Sequence, residues 1–332
     1  VIVIKKYCVL NLKSIQAPVE KELKLFEPYF KEIMKSKVPL LGIITNYIYR
    51  RKGKQVRPLL VFLSSGLTGE ITKATYVAAG MIELLHTATL IHDDVVDEAY
   101  ERRGSFSINA LWRSKVAVLA GDFLLSKGLQ LALATNEFEL LRNMSDAVQE
   151  MSEGELLQIE RSRKMNIDEE VYYEIIRKKT ATLLASCTVN GAHAARASSE
   201  AISKIHEFGI NLGMAFQLKD DIFDYQAKGL IGKPTGNDIK ENKLTLPIIY
   251  ALSKVDNSKK REILRELKLS KRNPSSVVKV IKFATDQGGV DYAIEKMNEF
   301  TEKAKEALKY FPPSVYRDSL SNLADFITTR SS

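Results

Sequence analysis

Cysteine is nearly absent from this chain: 332 residues carry 2, Cys8 and Cys187, far apart and outside any CxxC or Cys/His cluster. That argues against a disulfide framework and a zinc site, and it fits a reducing compartment, so a cytoplasmic location is expected. Proline (9) and glycine (17) are sparse, and Trp112 is the sole tryptophan. Short alternating strands between turn residues are missing too, which speaks against sandwich and barrel architectures. No uninterrupted apolar run reaches the ~20 residues of a membrane span, so a soluble protein is expected. Segment 1–12 is apolar but short, is broken by Lys5 and Lys6, and lacks a small-residue cleavage site, so it reads as neither leader nor span. No fixed-period repeat or low-complexity linker divides the chain.

What is present is long stretches rich in Ala, Leu, Ile, Glu and Lys, with 45% apolar residues overall. Periodicity predicts helices over 17–37, 40–51, 56–66, 72–97, 115–134, 137–162, 168–196, 199–226, 243–254, 276–311 and 313–329. The expected fold is all-α: one domain over residues 1–332, a bundle of ten or more helices around a central cavity. The formal net charge of +8 is dispersed. Clusters such as Arg50-Arg51-Lys52 and Lys259-Lys260-Arg261 lack interleaved aromatics and read as solvated helix faces, so nucleic acid is not an expected partner.

Against this background one pattern occurs twice, as Asp93-Asp94-Val95-Val96-Asp97 and Asp220-Asp221-Ile222-Phe223-Asp224. Each copy ends a long apolar helical run, so neither resembles a solubilising tail. Asp93 and Asp97 stand four residues apart and share a helix face. In the second copy Asp220 or Asp221 stacks with Asp224, and Gln217 falls one turn earlier. Carboxylates crowded this way repel each other unless a hard divalent cation intervenes. Mg²⁺ suits them, because it takes one or two carboxylates and completes its shell with phosphate oxygens and water. Two such walls facing each other would hold a diphosphate.

Cationic residues gather near both copies. Arg102 and Arg103 follow the first. Lys54 and Arg57, after Gly53, open a helix whose dipole also favours an anion. Lys179-Thr180 lies within 168–196, and Lys233 and Lys243 flank a Gly- and Lys-rich segment, 228–242, that reads as a mobile loop over the site. His86 lies seven residues before Asp93, nearly two turns, on the aspartate face.

The stretches GKQVRP, HTATLIHDDVVDEAYERRG, AGDFLL, RKKTATLL, GMAFQLKDDIFDY and GKPTGNDIKENKLTLP together resemble the trans-type isoprenyl diphosphate synthases over residues 50–250. These are all-α enzymes that elongate allylic diphosphates with isopentenyl diphosphate. The resemblance implies about three Mg²⁺ ions, with Asp93, Asp94 and Asp97 serving the allylic diphosphate and Asp220, Asp221 and Asp224 holding the third ion. It assigns Arg102, Lys179, Lys233 and Lys243 to the allylic diphosphate, and Gly53, Lys54, Arg57, His86 and Arg103 to the isopentenyl diphosphate pocket. Thr180 and Gln217 match polar groups beside the developing allylic cation. A homodimer is also implied, and transient membrane contact would suit release of a lipid product.

The growing chain should run beside the helix that ends at Asp93. Thr89 and Ala88 lie about 6–7.5 Å deeper along it, where the family's farnesyl-type members place a bulky floor. Both are small here, so growth should continue past them toward Leu85 and Ile82. The expected product is near hexaprenyl diphosphate, with geranylgeranyl diphosphate as runner-up. A terpene cyclase pairs its aspartate motif with an Asn/Ser/Glu metal motif, which the second DDxxD opposes. A His-Asp phosphohydrolase needs several metal-binding histidines, and the chain has 4 histidines in all.

Overall fold

The computed structural model of the chain describes residues 11–51, 53, 55–102, 104–165, 167–225 and 236–329. Cys8, Lys54, Arg103 and Lys233, together with segment 1–10 and most of the expected loop 228–242, lie outside the described residues.

The chain opens with α1 (Leu12–Gln16), a 3₁₀ turn (Ala17–Val19), α2 (Glu20–Ile33), α3 (Pro39–Arg50), α4 (Val56–Thr68) and α5 (Lys73–Val96). A two-stranded antiparallel ribbon, β1 (Glu101–Arg102) and β2 (Ser105–Phe106), follows α5. Next come α6 (Ile108–Ala134), α7 (Phe138–Lys164), α8 (Glu169–Ile176), a π-turn (Arg177–Ala181), α9 (Thr182–Ala194) and α10 (Ser199–Phe223). The remainder is α11 (Asn237–Lys240), α12 (Leu246–Ser253), α13 (Asn257–Leu269), α14 (Pro274–Asp286), α15 (Gly289–Leu308) and α16 (Val315–Thr329). The starts follow local chemistry. Ser107, Asp168, Ser198 and Asp256 each accept a backbone N–H of the helix they precede, while Pro39 and Pro274 occupy first-turn positions that need no N–H.

The all-α expectation holds, apart from the four-residue ribbon. Four predicted helices differ in detail, the 17–37 helix opening as the 3₁₀ turn and ending at Ile33, and α13 forms where no helix was predicted. The 168–196 helix is interrupted by the π-turn at residues 177–181, and 276–311 divides at Gly288, whose φ of +74° ends one helix and begins another. The 115–134 helix begins earlier, at Ile108, and breaks at Arg113.

Two apolar cores meet across α10. Phe208 and Leu212 belong to the core shared with α4, α5 and α9, whereas Met214, Leu218 and Ile222 belong to the core built with α12, α14 and α15. This makes α10 the element that fixes one half of the molecule against the other. Two helices, α5 and α6, are long and apolar enough by length and composition to cross a bilayer. The apolarity of α5 is explained by burial in the first core. α6 packs one face on α5 and leaves Leu111, Leu119, Leu129 and Leu133 exposed.

Candidate active site

The last turn of α5 forms the first wall. Asp93 and Asp97 are exposed, while Asp94, rotated about 100° from Asp93, is buried at 3% exposure. Arg102 reaches back from β1, and its Nε donates to Asp94 Oδ1 at 2.6 Å. Gly104, with φ of +70°, turns the ribbon that carries this arginine. Partial burial raises the Asp93 and Asp94 carboxyls above their usual range. Lys179 opposes the rise at Asp93, and the Arg102 hydrogen bond opposes it at Asp94.

The second wall is the end of α10. Here too the middle aspartate is buried, Asp221 at 3% exposure, while Asp220 is exposed and Asp224 half-buried. Tyr172 Oη donates to Asp221 Oδ2 at 2.6 Å, and Gln217 Nε2 donates to Asp221 Oδ1 at 2.7 Å. Thr180 Oγ1 in turn donates to Gln217 Oε1 at 2.7 Å. The chain Thr180–Gln217–Asp221–Tyr172 therefore fixes the amide of Gln217 in one orientation. Both oxygens of Asp221 are thus already engaged. Burial, reinforced by the nearby Asp238 carboxylate, pushes Asp221 up to about 7. Asp224 is also raised, first by burial and then by Asp238, and the backbone N–H of Asp238 donates to its Oδ2 at 2.6 Å.

Close backbone approach makes this chain possible. A Cβ on Gly213 would stand 2.4 Å from Ala181 Cα, so only glycine lets α10 lie this near the π-turn carrying Thr180. Gly154 does the same for α7, since a Cβ there would fall 2.9 Å from the Lys179 nitrogen.

Two lysines join the walls. Lys179 Nζ is paired with Glu155 and hydrogen-bonded to Gln158 Oε1 at 3.3 Å, and its charge is felt at Asp93. Lys243 lies 2.6 Å from Glu241 and 3.5 Å from Asp238. Burial lowers the Lys243 ammonium, but Asp238 and Glu241, with a contribution from Asp97, lift it above the ordinary lysine range. Lys179, Thr180, Gln217, Asp221 and Lys243 line one cavity of about 80 Å³ together with Tyr172 and Asp238.

The donor set suits a hard divalent cation: clustered carboxylate oxygens, several held above their usual range by burial among too few cations. Among the described residues no three carboxylate, histidine or cysteine groups converge into a complete metal cage. An ion here would need oxygens from elsewhere, and phosphate supplies them.

Gly53, Arg57 and His86 do not line this cavity. Arg57 sits in the first turn of α4 and His86 is buried on α5, two helices that pack together. Ala88, Leu85 and Ile82 are buried in the first core, and Thr89 is half-buried with its hydroxyl donating to the His86 carbonyl at 2.9 Å. The sequence reading missed Tyr172, Asp238, Glu155 and Gln158. Asp238 carried a weak signal, an acid just after Gly236 in a Lys-rich segment. The other three carried none, since each matters only through a neighbour distant in the chain.

Comparison with known proteins places these features. Residues 38–284 match the polyprenyl synthetase family. An all-trans-nonaprenyl-diphosphate synthase (geranyl-diphosphate specific) from Rhodobacter capsulatus is 35% identical over 94% of this chain and 95% of that protein. The structure of a polyprenyl synthase from Caulobacter crescentus CB15, complexed with calcium and isoprenyl diphosphate, superposes with a TM-score of 0.89 at 31% identity, covering 97% of this chain and 98% of that one. A geranylgeranyl pyrophosphate synthase from Bacteroides thetaiotaomicron gives a TM-score of 0.82 at 38% identity, with 96% and 99% covered.

Proposed function

The chain belongs to the polyprenyl synthetase family, and on that premise we propose that it condenses isopentenyl diphosphate with an allylic diphosphate, stopping near hexaprenyl diphosphate. It is a prenyltransferase that makes medium- to long-chain polyprenyl diphosphates. The observation that carries the condensation reading is the convergence of Lys179, Thr180, Gln217, Asp221 and Lys243, from three separate segments, on one cavity beside the first aspartate wall.

Asp93 and Asp97 on one wall, and Asp220 and Asp224 on the other, would hold about three Mg²⁺ ions with the allylic diphosphate. Asp221 stands behind the second pair. When bound, Mg²⁺ offsets the negative charge that builds on the departing pyrophosphate. Lys179, Lys243 and Arg102 add fixed positive charge around the same group. Gln217 is oriented by Asp221, a group that accepts its N–H, so its carbonyl oxygen is turned toward Thr180, whose hydroxyl it accepts. That oxygen and the Thr180 hydroxyl stabilise the developing allylic cation. Arg57, His86 and Gly53 are the described residues proposed for isopentenyl diphosphate, whose double bond attacks that cation. The proton lost afterwards goes to the released pyrophosphate. Holding both substrates in register supplies much of the rate enhancement.

Past Asp93 the chain meets Ala88 and Thr89, which impose no bulky floor, so elongation continues along α5. Geranylgeranyl diphosphate is the second reading, favoured by Leu85 and Ile82, whose side chains at 1% and 0% exposure must yield before longer chains pass. The outward apolar face of α6 supports a homodimer.

Incubation with Mg²⁺, labelled isopentenyl diphosphate and farnesyl diphosphate, followed by resolution of products by length, tests this. A ladder ending near thirty carbons is expected. Arrest after one addition supports the geranylgeranyl reading, cyclic hydrocarbon a cyclase, and release of phosphate alone a hydrolase.

A further inference from the structure

The carbonyl of Asp94 is held by a residue outside every motif considered so far. It accepts the Ala99 N–H at 2.9 Å in the turn that closes α5, and it accepts Asn109 Nδ2 at 3.2 Å. Asn109 sits in the first turn of α6. Its other atom, Oδ1, accepts the Ser114 hydroxyl at 3.0 Å. The orientation is forced: a carbonyl can only accept, so the amide must turn its nitrogen to Asp94 and its oxygen to Ser114.

This contact does not belong to a regular helix. Residues five apart point about 140° away from each other around an α-helix, too far for the two side chains to meet. They meet because α6 breaks between them at Arg113, whose φ of 66° and ψ of 166° are normally left to glycine. The first turn of α6 is thereby aimed at the end of α5. Ser107 completes the brace, its hydroxyl donating to Ala99 at 2.7 Å.

The geometry points to Asn109 as a positioning residue for the first aspartate wall. Its carboxamide, oriented by Ser114 across the break at Arg113, fixes the α5 terminus from which Asp93 and Asp97 project. Arg102 holds the same residue by its side chain, so Asp94 is gripped at both ends. This inference rests on the reading of that wall as a Mg²⁺–diphosphate site. Residues that orient metal ligands typically change metal affinity or activity by about 10–100-fold when removed.

The full chain and its Asn109→Ala and Ser114→Ala variants are titrated with Mg²⁺ in two ways. One is calorimetry in the presence of inorganic pyrophosphate; the other is steady-state condensation of isopentenyl with farnesyl diphosphate. For Asn109→Ala the half-saturating Mg²⁺ concentration should rise roughly tenfold in both, and kcat should fall by a similar factor. Ser114→Ala should shift the same way by less. The KM for isopentenyl diphosphate should stay within about twofold, because Arg57 lies on α4 and His86 in the buried stretch of α5, about two turns before the end that Asn109 holds. Unshifted Mg²⁺ dependence in the variants overturns the proposal, as does a KM that rises in step with the loss of kcat. Should Asn109→Ala fail to fold, Ser114→Ala, at an exposed position, carries the test alone. An unmodified chain that neither binds Mg²⁺ with pyrophosphate nor condenses substrate overturns the proposed function itself and this inference with it. Normal behaviour of that chain with unshifted variants overturns this inference only.

Discussion

The two aspartate walls share a five-residue pattern but not an electrostatic design. In both, the middle carboxylate turns inward, with Asp94 and Asp221 each 3% exposed. Asp94 meets a permanent cation, Arg102, at 2.6 Å. Asp221 meets two neutral donors, Tyr172 and Gln217, and a like charge in Asp238. In the first wall the arginine therefore opposes the rise that burial imposes on the inner carboxyl. The second carries a carboxyl that burial pushes up to about 7. Identical spacing fixes which residues share a face, and the neighbours decide what that face does.

The largest expected effects test whether both walls carry chemistry. Asp93→Asn and Asp220→Asn should each lower kcat by roughly a thousandfold, read from steady-state condensation rates. Near-normal turnover in either one would leave a single working wall. Gly213→Ala comes next. Its Cβ would press on Ala181 Cα, pushing the π-turn back and breaking the Thr180–Gln217 contact. Overpacking of this kind costs about 1–3 kcal/mol, and kcat should fall about tenfold or more alongside a lower Tm. An unaltered rate would show that the Thr180–Gln217 contact has no part in turnover.

A pH comparison separates the walls without any catalysis. Asp221 holds its proton up to about pH 7 in the fold, whereas its ordinary value is 3.8. Its contribution to stability is therefore full below about pH 4 and drains away as pH rises through 7. In metal-free protein, Asp221→Asn should raise Tm by roughly a few degrees at pH 8 and by less at pH 5. Asp94→Asn should give no such gain, because it strips Arg102 of its partner. Equal responses in thermal melts would erase the distinction drawn here. The smallest effect on rate belongs to Ala88→Phe. Total incorporation of isopentenyl units should change little, while products shorten toward fifteen to twenty carbons. An unchanged product ladder would mean that the chain does not grow along α5.

The all-α class, the helix end at Asp97, the second helix end to within about two residues of Asp224, and the Asp93/Asp97 face were legible because each follows from local rules. Periodicity, caps and four-residue spacing operate within one or two turns of chain. The 168–196 helix shows where such rules stop. No Gly or Pro interrupts it at residues 177–181, yet the chain forms a π-turn there, packed against Gly154 and Gly213 of two other helices. Lys179 and Thr180 owe their placement to that turn. Tyr172 is the clearer omission: nothing in its surroundings along the chain distinguishes it from Tyr173, and only contact with α10 makes it a partner of Asp221.

The sequence by itself determined that two carboxylate clusters end two apolar helices, with cations close by in the chain, and the family follows from those residues. Only the tertiary structure decided which aspartate of each cluster turns inward, what it meets there, and that Asn109 braces the first cluster across a broken helix. The division has one physical cause. Spacing along a helix is set by backbone geometry within a few residues, whereas burial and charge depend on side chains brought in by other elements, as Tyr172 is brought to Asp221 from 49 residues away.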